Sequence, residues 1–163
     1  MQDTVLLLSG SMWAVLGAAL AAMLAGVGSG IGITSVAKFS AGLLSEDPDK
    51  FGRLLVLIVL PGTQGIYGFI IAILVIVFFD LLGGGGANLS AVQGFQIFVA
   101  CLPVAIAGLI TAIYQGIVST AAAAMAGKRE ETLGKAIVLP AMVETYAVLA
   151  LITTIFLLMV AAA

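Results

Sequence analysis

Residues 139–160 read LPAMVETYAVLALITTIFLLMV, a run that contains one acidic residue, Glu144. A stretch of this length and composition is enough to cross a hydrocarbon core of about 30 Å. A lone carboxylate at that depth costs several kcal/mol, so it faces protein rather than lipid and marks an ion path. The run therefore implies a membrane ion carrier whose chemistry turns on one carboxylate.

Composition supports the membrane reading. The chain has 163 residues, 63% hydrophobic and 9% charged, against roughly 25% charged in soluble domains. About four spans of 20 to 30 residues fill it, which leaves no length for an extramembrane catalytic domain. The net charge is -2 and there is no histidine, which does not suit a nucleic-acid surface. Cys101 is the chain's one cysteine, so an internal disulfide is excluded and a cysteine metal site is disfavoured. The first apolar stretch is longer than a signal core and is preceded by Asp3 without a lysine or arginine, so it reads as a retained helix.

Four segments are expected, over about 11–44, 51–79, 90–125 and 131–160, with GGGGAN (residues 83–88) as a short flexible turn. Several exceed the hydrocarbon thickness and must tilt or project. The expected fold class is an all-α membrane protein of four transmembrane helices. Its organisation is a first hairpin over 1–82, a non-cytoplasmic linker over 83–89 and a second hairpin over 90–163. All six basic residues fall near two turns: Lys38, Lys50 and Arg53 flank SEDPD, while Lys128, Arg129 and Lys135 surround GKREE. The positive-inside rule puts both turns, near 45–50 and 127–131, in the cytoplasm and both termini outside.

The halves resemble each other. IVLPGTQGIYGF (58–69) matches IVLPAMVETYAV (137–148), pairing Pro61 with Pro140 and Tyr67 with Tyr146 at an offset of 79. This is a duplicated hairpin in which Gly65 stands where the second copy has Glu144. GVGSGIG (26–32) and GLITAIYQG (108–116) make the first segment of each hairpin a small-residue helix. Such spacing permits close backbone approach in lipid, either in ordinary two-helix packing or along the inner wall of a ring of subunits.

Axial distances at 1.5 Å per residue place several oxygen-bearing side chains at one level. Gln64 lies about 16 Å from Arg53, Glu144 about 14 Å from Lys135, and Gln115 about 20 Å from Lys128. Thr63, Gln64, Gln115 and Glu144 are thus able to meet from three segments. One carboxylate with neutral oxygens suits a monovalent cation, whereas divalent sites gather more carboxylates. Plainer readings stay open: the two glutamines bonded only to each other, Thr63 bonded to a backbone carbonyl, Glu144 a protonated structural acid. Tyr67 and Tyr146 are packing residues or hold the carboxylate. Pro61 cannot donate to the Leu57 carbonyl, so a bend and a free carbonyl are expected there, and Pro140 and Pro103 bend their segments in the same way. Gln93 and Gln96 read as interfacial.

At LPGTQGIYGF, AIYQG and LPAMVETYA the chain resembles the proteolipid subunit of V-type ATPases (the 16 kDa c or K subunit), in particular the bacterial sodium-translocating form. The resemblance covers nearly the whole chain. It implies a homo-oligomeric rotor ring of identical four-helix subunits in membrane lipid, turning past a stator subunit that bears an arginine. It implies a central-stalk subunit at the cytoplasmic loops, where Glu46, Asp47, Asp49, Glu130 and Glu131 either meet that stalk or solvate the turns. It also implies Na+ held by the Glu144 carboxylate, the Thr63 hydroxyl, the Gln64 and Gln115 side-chain oxygens and the Leu60 backbone carbonyl, with Tyr67 closing the site. No catalytic residue is implied, because ATP hydrolysis belongs to a separate soluble sector. The competing classes are a rotor subunit that carries H+, a small independent secondary transporter and a structural or fusion-pore protein.

Overall fold

A computed structural model describes residues 9–162, with the side chain of Glu130 excepted. Helix α1 spans Gly10–Glu46. A 3₁₀ turn at Pro48–Lys50 leads into α2, Phe51–Val59, and a second at Leu60–Gly62 leads into α3, Thr63–Phe78. Helix α4 spans Ala91–Lys128 and α5 spans Leu133–Ala162. With α2 and α3 taken as one span, four helices are long and apolar enough to cross a membrane. The protein is an all-α, multi-pass membrane protein built on a duplicated hairpin. Three spans end two or three residues past the expected limits, at Glu46, Lys128 and Ala162, and every span starts within about two residues of its expected start. Ser9 accepts from the Met12 N–H at 3.4 Å and Ser90 from the Gln93 N–H at 3.1 Å, each taking up a donor that a first helical turn leaves free.

The turn expected to be flexible is instead tied by backbone hydrogen bonds, Gly85 N–H to Asp80 C=O at 2.9 Å and Ala87 N–H to Gly84 C=O at 3.1 Å. Asp80 at φ 45° and Gly84 at φ 98° supply the left-handed corners, a conformation that suits the glycine better than the aspartate.

Glycine sets the spacing of α1 against α4. A Cβ on Gly28 would lie 2.6 Å from the Leu109 carbonyl oxygen, and one on Gly32 would run into the carbonyl oxygen of Ala112. Gly10 and Gly94 meet in the same way near the other end. Gly68 brings α3 onto α1 beside Ala21 and Ala25. Overfilling such a contact costs about 1–3 kcal/mol or more. Gly32→Leu is therefore expected to lose helicity at a lower temperature than the parent protein in a detergent melt; coincident melts would contradict this packing.

Two apolar clusters fill the interior. One, toward the glycine-rich turn, includes Ile71, Val75, Ile97, Val104 and Leu158; the other, toward the charged turns, includes Val36, Leu54, Leu57, Ala123 and Ala136. Cys101 is buried in the first. Between them lies a layer with two fully buried amides, Gln64 and Gln115. The fold thus isolates its polar centre from both ends.

Candidate functional site

Pro61 and its 3₁₀ turn set the geometry of this layer. The ring of Pro61 cannot donate a backbone hydrogen bond, and the helix gives way to 3₁₀ geometry over Leu60–Gly62. Helical bookkeeping leaves the Leu57 carbonyl without its donor, but the carbonyl that meets the network's side chains is that of Leu60. It accepts both the Thr63 N–H and the Thr63 hydroxyl, the latter at 3.0 Å. The same hydroxyl lies 3.4 Å from Gln64 Oε1. Thr63 and the Leu60 carbonyl therefore sit beside the first amide.

The amides join the helices. Gln64 Nε2 donates to Gln115 Oε1. Gln115 Nε2 in turn donates to the Pro140 carbonyl oxygen at 3.1 Å and to Glu144 Oε2 at 3.3 Å. The other carboxylate oxygen, Oε1, accepts the Tyr67 hydroxyl at 2.6 Å. Thr63, Gln64 and Tyr67 come from α3, Gln115 from α4 and Glu144 from α5. The side chains that the sequence places at one level are one connected network, and Glu144 is its only acid. Both plainer expectations, the glutamine pair and the threonine bonded to a carbonyl, are also present in it, as parts of the same network.

Burial grades across the network. Gln64 and Gln115 are fully buried, while Thr63, Tyr67 and Glu144 are partly exposed. The carboxylate thus sits at the rim, next to a shallow groove lined by Ala141, Thr145, Val148 and Leu149. Behind the carboxylate Gln115 presents its amide nitrogen and turns its oxygen toward Gln64, so that oxygen meets a cation at the rim only if the amide turns over. Among the described residues no second carboxylate stands in this layer, which suits a single positive charge.

Not every candidate joins. Tyr146 is 67% exposed on α5 and makes no hydrogen bond to the carboxylate among the described residues, so of the two tyrosines it is Tyr67 that holds it. Gln93 is not purely interfacial: its Nε2 donates to the Ala161 carbonyl oxygen at 3.1 Å. Gln96 is exposed. Pro140 and Pro103 lie inside continuous helices. The Pro140 carbonyl accepts from Gln115, and the Val104 N–H beside Pro103 donates to the Thr154 hydroxyl at 3.2 Å.

Two participants escaped the sequence reading. One is the Pro140 carbonyl, which anchors Gln115. The other is Ser29, whose hydroxyl accepts the Gly65 N–H at 2.8 Å and holds α1 to α3 beside the network. A single serine within GVGSGIG was the available signal. Asp3 and the other residues of 1–8, on which the retained-helix reading rests, lie outside the described residues, as does the side chain of Glu130.

The family of ATP synthase C subunits matches the chain twice, at residues 16–75 and 98–157. The V-type sodium ATPase subunit K of Enterococcus hirae is 41% identical over 150 residues, which span 92% of each chain. The A-type ATP synthase subunit K of Methanocaldococcus jannaschii is 39% identical over 142 residues, 87% of this chain and 60% of the relative. Both matched blocks contain one helical hairpin, as a duplication requires.

Proposed function

We propose, for a chain that belongs to the proteolipid (c/K) subunits of the V-type and A-type ATPases within the family of ATP synthase C subunits, that it carries Na+ across the membrane on Glu144. The ligands are the Glu144 carboxylate, the Thr63 hydroxyl, the Gln64 and Gln115 side-chain oxygens and the Leu60 carbonyl; Tyr67 closes the site. The observation that carries this reading is the network itself, which brings these groups from three helices to one carboxylate. The subunit K of Enterococcus hirae named above is that of a sodium ATPase, which supports the choice of ion.

The physics of the carboxylate defines the cycle. A bare charge at mid-membrane costs about 2.5–3.5 kcal/mol on insertion scales and more on others. Captured Na+ cancels that charge, so the loaded site can face lipid while identical subunits turn as a ring. Near an arginine of the stator subunit the carboxylate gains another partner and releases its ion. The subunit hydrolyses nothing; ATP is consumed in the soluble sector, joined through a central stalk at the charged turns. Those turns, near 45–50 and 127–131, face the cytoplasm, and both termini and the 83–89 linker between hairpins 1–82 and 90–163 face outward.

One feature favours Na+ over H+. Both carboxylate oxygens already accept hydrogen bonds, from Tyr67 and from Gln115. A protonated Glu144 would give up one of these acceptor oxygens, and its own O–H would need the Tyr67 hydroxyl to turn and accept it. The test is labelling of Glu144 by a hydrophobic carbodiimide, which reacts with the protonated acid. Saturating Na+ at mildly alkaline pH is expected to slow labelling at least roughly tenfold, the effect of about 1.4 kcal/mol of binding. Equal labelling with and without Na+ would replace the sodium reading with the proton one.

A further inference from the structure

The two prolines of the repeat have different consequences. Both stand in IVLP, at 58–61 and 137–140. Pro140 lies inside the continuous helix α5, whereas at Pro61 the span breaks into a 3₁₀ turn and starts again as α3 at Thr63. A proline removes the same backbone donor at either place, so the break needs a further cause.

A helix that starts again has new unpaired donors, the N–H groups of its first turn. An N-cap side chain usually takes one of them, but the N-cap of α3 is Gly62, which has no side chain to do so. The third residue of α3 is Gly65, and its N–H is taken from outside, by the Ser29 hydroxyl of α1 at 2.8 Å. Ser29 is 6% exposed, and a bilayer core has no water to replace a buried partner of this kind. The second hairpin supplies the comparison. The first helices of the hairpins match at an offset of 82 residues, Gly26 with Gly108, which is also the separation between the starts of the matched blocks at residues 16 and 98. Ser29 therefore corresponds to Thr111, whose hydroxyl donates to the Ala107 carbonyl of its own helix at 2.6 Å. Where the matching hydroxyl turns back on its own helix, the proline-bearing span stays continuous; where it caps the neighbour, the span breaks.

We infer that Ser29 is a positioning residue of the ion site, a role that rests on the sodium reading above: by capping α3 from across the gap it keeps the break at Leu60–Gly62 in place. All the ligands that the first hairpin supplies lie in or beside this break. The Leu60 carbonyl accepts the Thr63 N–H and hydroxyl, and Thr63 and Gln64 are the first two residues of the capped turn. Without the cap, the Gly65 N–H returns to the carbonyl four residues back, that of Pro61, and the Gln64 N–H to that of Leu60. Regular winding then turns the Leu60 carbonyl along the helix axis and moves Thr63 and Gln64 relative to Glu144. The hydrogen bonds of the carboxylate itself come from Tyr67 and Gln115, beyond this turn, so proton uptake by Glu144 is spared.

Ser29→Ala tests this, because alanine keeps the Cβ and removes only the oxygen. In membranes that carry the complete ATPase, carbodiimide labelling of Glu144 gives two midpoints, the Na+ concentration that halves labelling at mildly alkaline pH and the pH that halves it without Na+. The first is expected to rise about three- to tenfold, the effect of one hydrogen bond, and the second to stay where the parent has it. Thr154→Val is the matched control. It removes another hydroxyl that accepts a backbone N–H between helices, that of Val104 at 3.2 Å, in the apolar cluster toward the glycine-rich turn. It is expected to lower the melting temperature without moving the Na+ midpoint. A Na+ midpoint for Ser29→Ala within about twofold of the parent, a shift of both midpoints together, or an equal Na+ shift in Thr154→Val overturns the inference. A parent protein that Na+ does not protect overturns instead the sodium reading beneath it.

Discussion

Glu144→Gln is expected to abolish ATP-driven Na+ transport by the assembled enzyme while leaving the subunit folded and in its ring. Glutamine keeps the shape and an acceptor oxygen for Tyr67, so the network loses a charge and little packing. Removing one partner of a desolvated, hydrogen-bonded charge pair costs about 2–5 kcal/mol, or roughly 30- to 5,000-fold in Kd. The variant also loses its means of discharging at the stator arginine, because a neutral amide has no charge to pair with it. The check is 22Na+ uptake into inverted vesicles alongside the native mass of the ring. Residual uptake of more than a few per cent with an intact ring would show that another group carries the ion.

Gln115→Leu is the second large effect, and its signature is different. Gln115 is fully buried and makes three contacts, to Gln64, to the Pro140 carbonyl and to Glu144. Leucine leaves each of those partners short of a bond, at about 1–3 kcal/mol for every buried group left unpaired. Sodium is expected to lose at least tenfold in affinity, while protonation of Glu144 needs no amide and persists. Carbodiimide labelling of the variant should therefore proceed at Na+ concentrations that protect the parent. Unchanged protection would remove Gln115 from the ligand set, whatever the variant's effect on heat stability.

The membrane fold was legible because its cause is local. Runs such as residues 139–160 declare a membrane span by length and polarity alone, and Pro61 with Pro140 mark the repeat. The level of the site was legible too, since helical rise converts sequence separation into depth. What the sequence obscured was direction and backbone detail. Tyr67 and Tyr146 occupy equivalent positions, and nothing local says which hydroxyl meets the acid. That depends on how the second hairpin sits against the first, which is a tertiary matter. The Leu60 carbonyl was misjudged by residue counting because Pro61 does more than delete one hydrogen bond. It changes the local winding to 3₁₀, so the carbonyl nearest the break is the one that Thr63 takes. The glycine run after Asp80 was read from composition as slack, whereas its hydrogen-bonded corners make it a defined turn.

The packing at Gly65 limits the gearing of the motor. A Cβ there already lies 3.2 Å from Ser29, and by the 82-residue repeat Ile33 stands where the second hairpin has Gln115. The first hairpin thus supplies Gln64 but has no carboxylate, and no amide at the place of Gln115, for a carrier of its own. On the rotor reading, each step past the stator moves one ion per four helices rather than one per two. A rotor geared in this way shifts fewer charges per revolution, so the same torque works against a steeper electrochemical gradient before it stalls.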